Sequence, residues 1–361
     1  MKFDSYYRLQ SALRGLAALS VVFYHTGWIF RAGLAEIHPC WRWMRALLDF
    51  GWFGVDIFFL LSGYGIAAKL SRPPAPAGLR AALNFAGDRA VRIYPLYWAS
   101  MLVLLAMAFL ASRVHAGNWL ADLPLDPLGL FATVFLIEPL TGTNRYIAFT
   151  WTLNCELGFY LIVALALAVR RPLRDRGLMV GAAVLTAASL MGLIPVARWL
   201  FTFWPTFACG LFVHAALRQR AAGDRTGFFL ATGAVAAIGL AALIGPLIYP
   251  RLAATAVVAL GLIALHPYDG VLSSHRLMRP LFWCGTVSFP LVLLHGPIIT
   301  RVDNLAERVI APNSIWYPLV PLAAVGVSLL AAAGMHRWAE QPLQRWRTAK
   351  TQPRCSFWVL K

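Results

Sequence analysis

The sequence predicts an all-α, polytopic integral membrane protein with about ten transmembrane helices and both termini in the cytoplasm. Hydrophobic residues make up 60% of the 361 residues and charged residues only 13%, whereas an average soluble chain is close to half apolar and a quarter charged. Apolar stretches of about twenty residues, long enough to cross a hydrocarbon core, follow one another along the chain. Lys and Arg stand in short clusters between these stretches, which is typical of membrane topology signals.

Ten stretches of the chain qualify as spans by their hydropathy. The segment 124–140 is apolar as well, but Pro124, Pro127 and Pro139 interrupt it. Because proline breaks a helix and exposed backbone is not tolerated in lipid, we expect a re-entrant or interfacial piece there rather than an eleventh crossing. The predicted spans cover residues 10–31, 49–69, 93–112, 147–169, 178–196, 200–217, 227–246, 250–266, 282–300 and 315–335.

The basic residues indicate topology. The net charge is +17, but the 32 Lys and Arg do not form one basic domain, so we expect no nucleic-acid partner. With both termini inside, most of these residues lie on the cytoplasmic side, as the positive-inside rule requires. We expect residues 1–340 to form a single transmembrane domain and residues 341–361 a short basic cytoplasmic tail. The five cysteines are odd in number and widely spaced, so they indicate neither a disulfide framework nor a metal site.

The first span carries two ionisable residues, Arg14 near its inner end and His25 eleven residues later. At 100° per residue their side chains share one helix face, roughly 16 Å apart along the axis, with His25 in the outer half of the bilayer. A neutral imidazole is tolerated there and can accept a proton. Taken alone, His25 is equally explained as a hydrogen-bonding residue between helices.

Two carboxylates are expected at a depth comparable with His25: Asp56 in the second span and Glu156 in the fourth. An ionised carboxylate in hydrocarbon is costly unless it is paired or hydrated, so the group indicates a water-accessible polar cavity. A carboxylate that orients His25 would make the imidazole a general base. In the alternative interpretation, the carboxylates pair with arginines such as Arg31 or Arg145 and hold helices together.

A pair of arginines, Arg89 and Arg92, stands just before the third span. If this approach is helical, the spacing of three residues places both guanidinium groups on one face, where they can bind phosphate oxygens. A charge pair at the cytoplasmic start of a span is also ordinary topology.

Further polar residues occur late in the chain. Ser288 and His295 lie in the ninth predicted span, with His295 expected in the outer half of the bilayer. Glu340 follows the tenth span, next to a helix-ending proline, where it either pairs with the arginines of the inner side or is a solvated carboxylate of the tail.

Taken in order, these motifs resemble those of the acyltransferase-3 family, a group of ten-span membrane O-acyltransferases that acylate bacterial glycans. The resemblance covers nearly the whole chain. Each motif alone is weak, but six in the correct order are specific. They are Arg14 with His25, Arg89 with Arg92, the FGVDIFFLLSG block around Asp56, the WTL..E..FY block with Trp151 and Glu156, Ser288 with His295, and Glu340 before Gln341 and Pro342.

The resemblance implies acyl-CoA as the donor, with acetyl-CoA the expected one, used as a co-substrate on the cytoplasmic side and not as a permanently bound cofactor. It implies that Arg14, Arg89 and Arg92 bind the donor phosphates. It also implies that His25 is the catalytic base, which we expect to be oriented by Asp56 or Glu156. Substrate-binding or structural roles are left for Trp151, Ser288, His295 and Glu340.

The implied acceptor is a glycan or lipid-linked saccharide, such as a polysaccharide, lipopolysaccharide or exopolysaccharide sugar, at the inner (cytoplasmic) membrane of a bacterium. Membrane lipid is the other expected partner. A transporter or flippase for a glycan or an anionic lipid intermediate is the alternative function, because buried charges also line transport pathways. Transporters often contain inverted repeats, and we find no convincing repeat between residues 1–180 and 181–361. The intact His25 and arginine pair disfavour a non-catalytic scaffold.

Overall fold

The computed structural model describes residues 7–31, 48–71, 77–115, 126–143, 147, 149–169, 175–194, 198–244, 250–311, 314, 316 and 319–351. Its regular elements are helical, and no strand occurs within these residues. The first eight α-helices are α1 (Leu9–Arg31), α2 (Gly54–Leu70), α3 (Leu79–His115), α4 (Pro127–Phe135), α5 (Glu138–Thr141), α6 (Thr150–Ala168), α7 (Asp175–Leu190) and α8 (Arg198–Phe201). The others are α9 (Trp204–Ala221), α10 (Arg225–Ile244), α11 (Pro250–Leu265), α12 (Asp269–Ser274), α13 (Met278–Thr286), α14 (Ser288–Val309), α15 (Leu319–Met335) and α16 (Gln341–Thr351).

Helices run through all ten predicted spans, which confirms a helical membrane protein with several crossings. Six described helices are long and apolar enough to cross a membrane, and α13 with α14, bent by 79° at their junction, make a seventh if they count as one span. The apolar part of α7 is shorter, Met179–Leu190, and α9 carries Arg218 and Arg220 in its last turn. The number of ten and the cytoplasmic placement of both termini stay predictions.

The proline-containing segment 124–140 forms two short helices where the structure describes it. Helix α4 has nine residues and α5 has four, whereas a crossing needs about twenty. Asp126 caps α4 by accepting a hydrogen bond from the backbone N–H of Gly129, and Leu136 ends the helix in a left-handed conformation with φ of 56°. Neither helix is therefore long enough to cross the membrane by itself.

Two close helix crossings organise the bundle. A Cβ added to Gly63 of α2 would overlap the backbone carbonyl of Phe207 in α9, and one added to Gly210 of α9 would overlap that of Leu60. In the same way, α1 and α13 meet at Gly15 and Gly285. Small residues let helix backbones approach closely, which favours association in membranes.

Helix α1 is capped at its N-terminus and packs against four other helices. Its N-terminus is capped by Asp269, whose carboxylate accepts hydrogen bonds from the backbone N–H groups of Arg8 and Leu9 at 3.0 and 2.8 Å. A carboxylate at a helix N-terminus satisfies unpaired donors and complements the helix dipole. Further along, α1 packs against α2, α13, α14 and α15. The helix with the predicted Arg14 and His25 is thus central to its part of the bundle.

The arginine pair lies on one long helix. Helix α3 has 37 residues and continues through Arg89, Arg92 and Pro95 without a break. It packs against α6 and touches the π-helical turn His336–Glu340, which follows α15. The helical approach that the sequence left open is therefore present. Residues 352–361 of the predicted tail lie outside the described residues.

Candidate active site

Two histidines from opposite ends of the chain meet beside α1. The Nε2 atom of His295 lies 3.2 Å from the Nδ1 atom of His25, and the ring centroids are 4.8 Å apart. His25 Nδ1 is also 2.8 Å from the carbonyl oxygen of Val21, and His295 Nδ1 is 3.1 Å from that of Leu291. His295 is buried and His25 is partly exposed.

The partners define the proton positions of the neutral rings. A backbone carbonyl can only accept a hydrogen bond, so the Nδ1 atoms of His25 and His295 carry the protons. The Nε2 atom of His295 is then bare, and it accepts a second branch of the hydrogen bond that His25 donates to Val21. This leaves Nε2 of His25 unprotonated, and no described residue donates to it. The arrangement gives His25 a free basic nitrogen.

Asp56 does not orient this ring. It forms an ion pair with Arg251 at the start of α11, whose Nη2 and Nε donate to Oδ2 at 2.9 and 3.2 Å. The carboxylate is 2% exposed and the guanidinium 39%. Arg251 also stacks over the ring of Trp52, 4.5 Å from its centroid, and over Phe203 at 5.3 Å. The prediction that His25 is oriented by Asp56 was wrong because the two side chains point to different neighbouring helices.

Glu156 belongs to a second polar cluster. Its Oε1 accepts hydrogen bonds from Ser62, at 2.9 Å, and from the Tyr160 hydroxyl. It therefore does not orient His25 either. The alternative partners of the carboxylates were Arg31 and Arg145. The Arg31 side chain and all of Arg145 lie outside the described residues.

The three predicted arginines gather around Glu156 and Tyr160. Arg14 and Arg92 each interact electrostatically with Glu156 and with Glu340. The guanidinium of Arg89 lies over the Tyr160 ring, 5.6 Å from its centroid, and its buried Nε has no hydrogen-bond partner among the residues that the structure describes. Within the described part of the chain, no carboxylate comes within 4.0 Å of any of these three guanidinium groups. Three cations facing two carboxylates form an electropositive site that can accept an anion.

Residues 11–333 match the family model described as an acyltransferase domain, that of acyltransferase-3. The chain belongs to the acyltransferase-3 family. The match includes both histidines, all three arginines and Glu156, whereas Glu340 lies just beyond it.

Two curated relatives match parts of the chain at low identity. A Komagataeibacter xylinus protein, BcsY, described as a membrane-bound transacylase, is 28% identical over 189 residues, which are 49% of this chain and 41% of that protein. Nodulation protein 10 of Rhizobium leguminosarum bv. viciae is 28% identical over 180 residues, 46% of each chain. The matches thus span less than half the length of these relatives. No solved structure matches the chain.

The other predicted residues of the acyltransferase-3 motifs lie in three places. Glu340 stands in the π-helical turn and accepts from His336 Nδ1 at 2.7 Å, beside the arginine cluster. Ser288 is the first residue of α14, and its hydroxyl donates to the backbone carbonyl of Gly285 at 2.8 Å. This hydrogen bond spans the bend between α13 and α14. Trp151 lies on the wall of a separate cavity near the start of α6. Among the described residues, no three His, Cys, Asp or Glu side chains form a metal-binding group.

Three polar residues of the acyltransferase-3 domain were missed at the sequence level. Arg251 holds Asp56, and Glu138 accepts a hydrogen bond from Asn154 Nδ2 at 3.2 Å. Glu138 and Asn154 are 1% and 2% exposed. A signal for Glu138 was present, since a lone carboxylate inside the apolar run FLIEPL must be buried or interfacial.

Proposed function

We propose that this protein is a membrane O-acyltransferase that moves an acyl group, with acetyl the expected one, from acyl-CoA to a sugar hydroxyl. The acceptor is a surface polysaccharide, lipopolysaccharide or exopolysaccharide, and the enzyme acts in the inner (cytoplasmic) membrane of a bacterium. The family supports acyl transfer, and the description of one relative as a membrane-bound transacylase agrees with it. The single observation that carries the proposal is the free Nε2 of His25 beside His295.

His25 is the general base of the proposed reaction. Its Nε2 takes the proton from the acceptor hydroxyl as the sugar oxygen attacks the thioester carbonyl carbon. The C–O bond forms, the C–S bond breaks, and the CoA sulfur leaves as a thiolate that recovers the proton from the imidazolium. General base catalysis of this kind contributes about 10²- to 10⁴-fold. His295, which accepts from the opposite ring nitrogen, stabilises the imidazolium.

The arginine cluster is the proposed site for the phosphates of acyl-CoA. Arginine binds phosphate through paired N–H donors, and Arg14, Arg89 and Arg92 have no carboxylate within ion-pair distance among the described residues. Arg14 and His25 share one face of α1, roughly 16 Å apart along its axis. A donor bound at the arginines can therefore extend its thioester arm along α1 toward the base.

The test is acetyl-CoA consumption by the purified protein in lipid nanodiscs, with glycan extracted from the source organism as the acceptor. We expect His25→Ala to lower kcat by at least about 100-fold and to keep acetyl-CoA binding. Arg89→Ala should weaken acetyl-CoA binding about tenfold or more. Matched controls are His275→Ala and Arg279→Ala, which remove exposed residues of the same types and should leave both quantities unchanged.

Two results would count against the proposal. Equal activity of wild type and His25→Ala would remove the imidazole from the mechanism. If folded wild-type protein consumed no acyl-CoA and instead moved glycan across the bilayer, the protein would be a transporter. Acyl-CoA consumption is measured in nanodiscs and glycan movement in liposomes. Both are prepared from the same purified protein, so the two functions are compared on one sample.

A further inference from the structure

The carboxylate of Glu156 lies beside the arginine cluster but is held by hydroxyl groups. Its Oε1 accepts hydrogen bonds from Ser62 of α2, at 2.9 Å, and from the hydroxyl of Tyr160, one turn along α6. Arg14 and Arg92 interact with this carboxylate electrostatically, yet neither guanidinium lies within 4.0 Å of it. Glu156 is therefore kept apart from the cations whose charge it partly offsets.

The carboxylate of Glu340 is held in a similar way. Nε2 of Gln344 donates to its Oε1 at 3.1 Å, and Nδ1 of His336 lies 2.7 Å from its Oε2. Glu340 ends a π-helical turn, a rare form of helix that is frequent at functional sites. Both of its oxygens are engaged by side chains one turn away, so Arg14 and Arg92 interact with it only at a distance above 4.0 Å.

The arginines consequently keep their N–H groups for a ligand. Within the described ranges, the side chains of Arg14, Arg89 and Arg92 donate no hydrogen bond to a protein oxygen. The guanidinium carbon of Arg89 instead lies 5.7 Å from the ring centroid of Phe85 and 5.6 Å from that of Tyr160. Buried donors without partners are rare because each is costly. The two carboxylates thus reduce the charge of the site without occupying its donors.

We propose that Glu156 and Glu340 limit the affinity of the arginine cluster for the phosphates of acyl-CoA, so that the product CoA can leave. The inference rests on the proposed acyltransferase function and adds a control of donor affinity to it. Donor and product carry the same phosphates, and three guanidinium groups without carboxylates nearby would bind both tightly. A fixed negative charge close to the phosphates raises the free energy of the bound state. Since product release limits turnover in many enzymes, a weakened site favours turnover.

The hydrogen bonds to Glu156 are necessary for this control. A carboxylate free to move would pair with a guanidinium and take the paired N–H donors that a phosphate needs. The hydroxyls of Ser62 and Tyr160 prevent this movement. Tyr160 is a positioning residue in two respects, because its hydroxyl fixes the carboxylate and its ring lies under the guanidinium of Arg89.

The experiment measures binding of free CoA by calorimetry to the nanodisc-embedded protein, without acceptor, so it does not depend on catalysis. Glu156→Gln and Glu340→Gln should each tighten CoA binding about three- to tenfold, because each removes one negative charge near the phosphates. In the transfer assay, the inhibition constant of free CoA should fall by the same factor. The matched control is Glu307→Gln, which removes an exposed carboxylate of α14 and should leave CoA affinity unchanged.

Replacing the positioning tyrosine should have the opposite effect. Tyr160→Phe keeps the ring under Arg89 but removes the hydroxyl that holds Glu156. The released carboxylate can then pair with an arginine, and CoA binding should weaken about threefold or more. In the double variant Tyr160→Phe with Glu156→Gln, no carboxylate is left to be released, so the affinity should equal that of Glu156→Gln. Tyr268→Phe, at an exposed tyrosine, is the control.

The outcomes separate this inference from the proposed function. Tighter CoA binding in Glu156→Gln and Glu340→Gln, with weaker binding in Tyr160→Phe that the second substitution reverses, supports the control of affinity. Unchanged or weaker binding in the two Gln variants overturns it, even if the wild type transfers acetyl groups; Glu340→Gln alone decides if Glu156→Gln does not fold. Absence of CoA binding by the wild type overturns it together with the donor site. Tighter binding by both variants of a protein that never transfers an acyl group would keep the control and reject the acyltransferase mechanism.

Discussion

Replacing His295 tests whether the histidine pair works as a base with its supporting acceptor. In His295→Leu the 3.2 Å contact to His25 is lost, but the Val21 carbonyl still holds the proton on Nδ1. The lost interaction matters most when His25 is an imidazolium, because a hydrogen bond to a charged group is worth about 1.5–3 kcal/mol. At about 1.4 kcal/mol per factor of ten, kcat should fall roughly 10- to 100-fold.

The assay is steady-state acetyl transfer in nanodiscs, with both KM values measured. His295→Leu should lower kcat at unchanged KM, since the contact strengthens only as the charge develops. His295→Gln keeps an oxygen that can accept from His25 and should recover most of the activity. Thermal unfolding of each variant shows whether the bundle is intact. If kcat of His295→Leu fell as far as kcat of His25→Ala, His295 would itself be the base. If kcat changed less than twofold, the histidine pair would be only structural. Either result refutes the reasoning.

Three further predictions concern the packing and the charges. Gly63→Ala should lower the free energy of unfolding by at least about 1–3 kcal/mol, because the new Cβ overlaps the neighbouring helix backbone; Gly65→Ala, which meets nothing within 4 Å, should not, and equal melting temperatures would contradict the crossing. Asp56→Asn should lower the free energy of unfolding by about 2 kcal/mol, because Arg251 loses its ion-pair partner. Additive losses of this free energy in a double-mutant cycle with Arg251→Gln would argue against the pair. Arg92→Gln should raise KM for acetyl-CoA about tenfold at unchanged kcat, and an unchanged KM would remove Arg92 from the donor site.

Much of the fold followed from local sequence signals. Apolar stretches of membrane length predicted helices at all ten positions. The shared face of Arg89 and Arg92 was predicted only on the condition that their segment is helical, and the structure meets that condition. The three prolines in 124–140 predicted an interrupted helix, and the structure has two short helices there; its re-entrant or interfacial placement stays a prediction. These signals act within one helix, so the residues that decide them are neighbours in the sequence.

The partners of the site residues could not be predicted in the same way. Depth in the membrane can be estimated from position in a span, and Asp56, Glu156 and His295 were all expected near the level of His25. Depth does not tell which face of each helix meets which neighbour. That depends on the rotation of every helix about its axis, which close contacts such as the one at Gly63 determine. His25 therefore contacts a histidine 270 residues away and not a carboxylate.

Two polar residues near helix ends, Arg251 and Glu138, were also missed at the sequence level. Arg251 follows Pro250 at the start of α11, where a single cation looks like an ordinary flank of a span. Glu138 lies in the short segment between α4 and α6, for which no periodicity could be assigned. Both became recognisable only when long-range packing brought Arg251 to Asp56 and Glu138 to Asn154.

The bent pair α13 and α14 has a consequence for the lipid environment. Helix α13 packs against α1 at Gly15, and after the 79° bend α14 contacts α1 again through His295. Both contacts join helices of the protein, so we expect the distance between the rings of His25 and His295 to depend little on bilayer thickness. Thinner or thicker bilayers, which tilt helices at small energetic cost, should therefore leave the contact between the rings of His25 and His295 unchanged.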